Sequence, residues 1–290
     1  MEHSTKRRLG PFTVAPIGFG AMRLTGPNVF GPPHDRAGAL AVLRAAVDGG
    51  VDHIDTAQYY GPVVVNELIR EALHPYPPGL ALVSKVGARR DSQGGIFAAD
   101  EPAELRRGIE DNLRTLGADQ LAVVNLRLMR SNGPDAFFDD QLAAMIAARD
   151  DGLIAAIGLS SITLAHLLHA LRSTEIACVQ NAFHLANRRS QSVLDECGRR
   201  NIAFVPFSSL GSGAVGAGAT VASPEVVGIA TQLRCTPAQV ALAWALTFPN
   251  VLLIPGTSSM RHLHENLAAS DVHLDSEARR QLSEMGNVAL

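Results

Sequence analysis

The stretch HIDTAQYYGPVVVNELIREALHPYPPGLALVSKV, His53 to Val86, decides the fold. HIDTA is a short apolar run carrying an acid, and VVNELIREAL places apolar residues at helical spacing. LALVSKV is a second apolar run of strand character. A strand, a helix and a strand in so short a span make a βαβ unit, whose strands run parallel.

Working outward, the unit repeats. Upstream, DRAGALAVLRAAVDGG has Asp35 as N-cap, Leu40, Leu43 and Val47 on one face, and Gly49–Gly50 as the stop. Downstream, EPAELRRGIEDNLRTLG lines Leu105, Ile109, Leu113 and Leu116 along one face and ends at Gly117. The runs LAVVNLRLM, IAAIGLSS, ACVQNAF, IAFVPFSSL and VLLIPGTS follow as strands between helical stretches, and PIGFG precedes them all. The fold class is therefore α/β, a single (β/α)8 TIM barrel over residues 1–290. RRLGPFTVAPIG supplies a short N-terminal β-hairpin, and no Pro/Ser-rich linker divides the chain.

Composition narrows the function. A net charge of −3 over 290 residues argues against nucleic acid as a partner, and 47% hydrophobic residues supply a real core. Cys178, Cys197 and Cys235 form no CxxC pair and predict neither a disulfide frame nor a metal site. With no signal-like N-terminus and no long apolar run, the expectation is a cytoplasmic protein without membrane attachment. Nothing in the sequence sets the oligomeric state.

A barrel of this kind carries its chemistry where strands end. Those ends supply Asp55 and Tyr60, Lys85, Arg127, Ser160 and Ser161, Gln180 and Asn181, Phe207 and Ser208, and Thr257 and Ser258. Lys85 sits inside an apolar run, where an ammonium is costly without a carboxylate, and Asp55 is one strand away. A tyrosine beside that cation has its pKa lowered from about 10, which makes Tyr60 a general acid. The plainer reading is a structural ion pair with a packing tyrosine nearby. Arg127 cannot give up a proton but can hold a developing oxyanion; it can equally neutralise an acid at the rim.

GSGAVG, Gly211 to Gly216, satisfies GxGxxG but lacks the strand and acid that a dinucleotide fingerprint requires downstream. A Gly/Ala loop that folds over a ligand's phosphates is the better reading. IPGTSSMRHLHENL opens a helix on Thr257, Ser258 and Ser259, which suits an anion or a plain cap.

Together, GFGAMRL, DTAQYYG, VSKVG, IGLSS, VQNAF, VPFSSLGSG and LIPGTSSMRHLHENLAA resemble the ordered motifs of the aldo-keto reductase superfamily over essentially the whole chain. The resemblance implies Tyr60 as proton donor, with Asp55 and Lys85 setting its pKa. It implies NADPH, with NADH as the alternative, bound in an extended pose. Gly20, Met22 and Asp55 would line the nicotinamide pocket, Ser160, Gln180 and Asn181 would hold the carboxamide, and Phe207 would stack on the ring. Ser208, Leu210 and Gly211 would meet the pyrophosphate, and Gly256, Thr257, Ser258, His262, Glu265 and Asn266 the adenosine end.

Three positions depart from the family pattern. Arg127 stands where the family has a histidine, and Ser161 where it has an asparagine. Gly256 and His262 stand where a Lys and an Arg commonly hold the 2′-phosphate. GAMRLTGPNVFGPP, REALHPYPPGLALVSKVGARR and VVNLR resemble the bacterial pyridoxal reductases, a subgroup that also carries the arginine. The implied activity is NADPH-linked reduction of a small aldehyde, with pyridoxal as the narrow case and Tyr59 bordering the substrate. Closure of Gly211–Gly218 over the cofactor is expected with it. The competing readings are a Schiff-base lyase using Lys85 and a nicotinamide-binding sensor with little turnover.

Overall fold

A computed structural model describes residues 6–130, 133–211 and 220–287 of the chain. The hairpin β1 (Arg7–Leu9) and β2 (Phe12–Val14) comes first and is antiparallel. A curled parallel sheet follows: β3 (Phe19–Gly20), β4 (His53–Asp55), β5 (Ala81–Arg90), β7 (Leu121–Arg127), β8 (Ile154–Ser160), β9 (Cys178–Gln180) and β10 (Ala203–Phe204). The eighth run of the sequence closes the ring through isolated bridges. Leu252 N donates to Phe204 O at 2.9 Å, and Leu253 N donates to Pro16 O at 2.8 Å. The fold class read from the sequence is observed.

Helices α1 (Arg36–Asp48), α2 (Val64–Leu73), α3 (Pro102–Leu116), α4 (Ala136–Asp150), α5 (Leu164–Ala170) and α6 (Gln191–Arg199) separate the strands as far as β10. The later ones are α7 (Pro224–Leu233), α8 (Pro237–Leu246), α9 (Met260–Leu267) and α10 (Ser276–Glu284). Local chemistry sets their ends. Asp35 accepts from Gly38 N and starts α1, and Gly117 leaves α3 with φ +67. No helix among the described residues is long and apolar enough to cross a membrane.

The side-chain period of two divides the strands into an inner and an outer face. On β5, Leu82 and Val86 pack outward in the main core, while Ala81 and Val83 join a second, inner cluster. That inner cluster also holds Ala122, Ala156, Ala177, Ala203, and Leu9 and Val14 of the hairpin. Small residues near the strand starts make room for the hairpin, which seals the barrel floor. Gly10 turns it at φ +58, where a Cβ would lie 2.7 Å from the Ala177 side chain.

One element was absent from the sequence reading. β5 runs on past the barrel and pairs antiparallel with β6 (Ile96–Ala99), placing Arg90 opposite Ile96. This second hairpin stands over the barrel mouth.

Candidate active site

The inward alternation carries polar residues to the top of the barrel. Following β5 inward gives Ala81, Val83, then Lys85; β7 gives Val123, Asn125, then Arg127; β8 gives Ala156, Gly158, then Ser160. β9 adds Gln180 beside Ser160, and the chain beyond β10 adds Phe207. Lys85 is in register with Asn125, so Arg127 sits one inward layer above it.

These side chains open on a cavity of about 570 Å³ lined by Gly20, Met22, Asp55, Tyr59, Tyr60, Lys85, Arg127, Ser160, Phe207, Ser208, Leu210 and Gly256. Arg23, Val29, Arg90, Ile96 and Ser161 complete much of the wall. Of these, Arg23, Val29, Arg90 and Ile96 were not singled out from the sequence. ARRDSQGGIFAA, a Gly-rich turn between two strand-like pieces, was the signal for Arg90 and Ile96.

Lys85 is 5% exposed and Asp55 3%, and the two form a buried ion pair. Lys85 Nζ also donates to Thr56 O at 2.9 Å, and lies 5.3 Å from the centroid of the Tyr60 ring. Burial works most strongly against the ammonium, but Asp55 together with Tyr60 and Tyr59 outweighs it and holds the Lys85 pKa above its ordinary value. A Schiff base needs a neutral amine, so this pairing opposes the lyase reading.

A polar cluster behind the barrel wall supports the Thr56 carbonyl. Thr56 Oγ1 donates to Asn66 Oδ1 at 2.8 Å, and Asn66 Nδ2 donates to Asn112 Oδ1 at 3.0 Å. Ser84 Oγ, next to Lys85, donates to the same Asn112 oxygen at 2.6 Å. The lysine is thus anchored from both sides of β5.

Tyr60 behaves differently from the expectation. Burial pushes its phenol up to about 12, and the Lys85 cation, which lowers it, recovers only part of the shift. The neighbouring cation was legible in the sequence; the depth of burial was not. The hydroxyl is consequently protonated at neutral pH.

Tyr59 packs edge-on to Tyr60 with ring centroids 5.3 Å apart, and Arg127 Nη1 donates to the Tyr59 hydroxyl at 3.1 Å. Burial opposes the Arg127 charge most strongly, yet Tyr59 and Tyr60 together outweigh it and raise the guanidinium's pKa. Arg127 Nε is buried with no partner among the described residues.

Gln180 lies behind the lining, where its Nε2 donates to Asp55 Oδ2 at 2.6 Å. Its Oε1 is buried with no partner among the described residues, an acceptor that awaits a donor. Asn181, expected beside it, spends both ends of its amide on Ile162: Nδ2 donates to Ile162 O at 2.7 Å, and Oδ1 accepts from Ile162 N at 3.0 Å. Its side chain pins the loop after β8 and is not part of the cavity wall.

At the far end, Gly20 and Gly256 press backbone on backbone; a Cβ on Gly256 would lie 2.1 Å from Gly20 O. Thr257 is buried, and its Oγ1 accepts from Ser259 N at 3.0 Å. Ser259, not Ser258, caps α9. Ser258 and His262 are exposed, Glu265 accepts from Arg261 at 2.7 Å, and Asn266 is buried. None of these five residues past Gly256 (Thr257, Ser258, His262, Glu265, Asn266) lines the cavity. Gly211 is buried, and the remainder of the expected Gly211–Gly218 closure lies outside the described residues.

Comparison with known proteins agrees with this geometry. The Aldo/keto reductase family matches residues 16–287. Pyridoxine 4-dehydrogenase of Escherichia coli is 46% identical over 274 residues, 93% of this chain and 94% of its own. A thermostable aldo-keto reductase solved with the inhibitor epalrestat superposes with a TM-score of 0.82 at 26% identity, covering 97% of this chain and 99% of that one. An aldo/keto reductase of Klebsiella pneumoniae solved with NADP and acetate gives 0.77 at 27%, covering 96% and 95%. A buried Asp–Lys pair beside a tyrosine at a barrel mouth, in a chain matched along nearly its full length, thus belongs to an oxidoreductase of the aldo/keto reductase family.

Proposed function

We propose that the protein reduces an aldehyde to the primary alcohol with NADPH, pyridoxal to pyridoxine being the specific case. The observation that carries the reading is a phenol kept protonated within 5.3 Å, ring centroid to ammonium, of a buried lysine that faces the same cavity. Such a group is an acid for an oxygen that gains charge.

The residues present fit a nicotinamide cofactor. Gln180 Oε1 is an orphaned acceptor suited to a carboxamide N–H, with Ser160 alongside and Phe207 able to cover a flat ring. Ser208, Leu210, Gly20 and Gly256 are placed on the same wall for the rest of the molecule. Bound there, the reduced nicotinamide supplies hydride to the carbonyl carbon.

Tyr60 gives its proton to the carbonyl oxygen as charge builds on it, while Lys85 stabilises the phenolate left behind. Arg127, which no ordinary pH deprotonates, offsets the oxygen's charge from above and takes the role that a histidine fills in the family pattern. Asp55 keeps Lys85 charged, and Gln180 holds Asp55. Pyridoxal as substrate is supported by the likeness to the E. coli pyridoxine 4-dehydrogenase.

The test is NADPH and NADH oxidation, followed by absorbance, with pyridoxal beside a panel of simple aldehydes. NADPH-linked turnover of pyridoxal at low concentration supports the whole reading. Turnover of the panel without pyridoxal retains the reductase and removes the vitamin. No turnover with NADPH bound overturns both.

A further inference from the structure

We propose that Arg90 is a specificity-determining residue that binds a carboxylate or phosphate ester carried by the aldehyde substrate, at a point separate from the carbonyl site at Tyr60. The inference rests on the reductase reading alone and not on pyridoxal, which carries neither group, and it adds the class of aldehyde preferred.

Arg90 ends the strand that carries Lys85, next to the Asp91–Gly95 turn of the hairpin over the mouth, and lines the same cavity as Tyr60. Its guanidinium is pre-positioned: Nη1 donates to Gly94 O at 2.5 Å, while Nε is buried with no partner among the described residues. No carboxylate among those residues pairs with it. The adjacent acid, Asp91, is spent on the turn, its Oδ1 accepting from Gln93 N at 2.9 Å and Gly95 N at 2.7 Å. A forked cation without a counter-ion, partly withdrawn from water, is a receptor for a planar or tetrahedral oxyanion.

Charge in the cavity agrees. Among the described residues Asp55 is the only acid in the lining, and it is neutralised by Lys85, which leaves arginines in excess. Their placement separates their roles. Arg23 lies against Gly256, whose Cβ would be 3.6 Å from its Cγ, on the wall assigned to the cofactor. Around the ring of eight, β5 stands opposite β10, and Arg90, on the extension of β5, and Phe207–Leu210, after β10, line the same cavity. Cofactor phosphates on that wall leave Arg90 to the substrate. Ile96, opposite Arg90 on β6, and Val29 supply apolar surface for the body of such a molecule.

The experiment compares kcat/KM within two matched pairs, benzaldehyde against 3-carboxybenzaldehyde and pyridoxal against pyridoxal 5′-phosphate, for the wild type, Arg90→Gln and Arg90→Lys. The wild type is expected to favour the anionic member of at least one pair by about tenfold. Arg90→Gln brings that ratio near one, and Arg90→Lys keeps part of it. The pair that responds tells carboxylate from phosphate.

Equal loss on both members of each pair assigns Arg90 to holding the hairpin and overturns the proposal, as does a wild type without preference. If no aldehyde is turned over, the reductase reading fails by itself. Calorimetric binding of 3-carboxybenzaldehyde to the wild type and Arg90→Gln then reads the anion site directly, and equal affinities overturn it.

Discussion

Gln180 donates one end of its amide to the Asp55 carboxylate at 2.6 Å, joining residues 125 positions apart in the chain, and leaves the other end, Oε1, buried and unpaired among the described residues. The first bond determines which way the amide faces, so the acceptor is aimed before any ligand arrives. Gln180→Leu removes the acceptor with little change of volume. Its expected effect is NADPH binding weaker by about tenfold, read by titration calorimetry. Unchanged affinity would remove Gln180 from the cofactor site.

The phenol of Tyr60, pushed up to about 12 by burial against the opposing pull of Lys85, gives a signed pH dependence. An acid with so high a pKa stays protonated through the neutral and mildly alkaline range, so aldehyde reduction should be flat there. Alcohol oxidation needs the phenolate, and its rate should climb by about tenfold per pH unit over the same range. Steady-state profiles in both directions check the sign. Tyr60→Phe should lower kcat by about a hundred- to ten-thousand-fold with NADPH affinity near wild type.

Lys85→Met leaves the Asp55 carboxylate buried without its cation. The expected loss of stability is about 3–5 kcal/mol in chemical denaturation. Asp55→Asn combined with Lys85→Met removes both charges and should regain much of that stability while remaining inactive. Equal stability of the single and double variants would show that the uncompensated Asp55 carboxylate is not what destabilises Lys85→Met.

Ser161 adopts φ +59, a left-handed conformation that asparagine tolerates better than serine. Ser161→Asn should raise stability by on the order of 0.5–1 kcal/mol, since asparagine is several-fold enriched there. Thermal denaturation checks it, and a lowered midpoint would mean that the larger side chain clashes.

The barrel was legible because its strands are apolar runs at regular spacing. Lys85 was conspicuous because an ammonium amid Ala81, Leu82, Val83 and Val86 requires a partner. What escaped depended on distance in space. The strand after Lys85 passes through Gly87, at φ +102, and a Cβ there would lie 2.3 Å from Arg127 O, a close approach that no local pattern announces. The hairpin beyond it reads as a loop because Asp91–Gly95 is polar and Gly-rich. The direction of the Tyr60 shift turned on burial outweighing one cation, a balance that needs the folded surroundings. Asn181 follows the motif yet serves the Ile162 loop, since a motif specifies a residue type and not the partner it meets.

The strands of the ring are unequal in length. β5, β7 and β8 run for ten, seven and seven residues with long shared ladders, whereas β3 and β10 are two residues each and the closing segment is tied by single bridges. The barrel is therefore a stiff half joined to a half that opens at lower cost. Lys85, Arg127 and Ser160 stand on the stiff half; Gly20, Gly256 and the chain after β10 stand on the other. Amide exchange should run faster along Gly18 and Leu253 than along Val83 and Val124. A long molecule can then be admitted and released at the seam while Lys85, Arg127 and Ser160 keep their alignment.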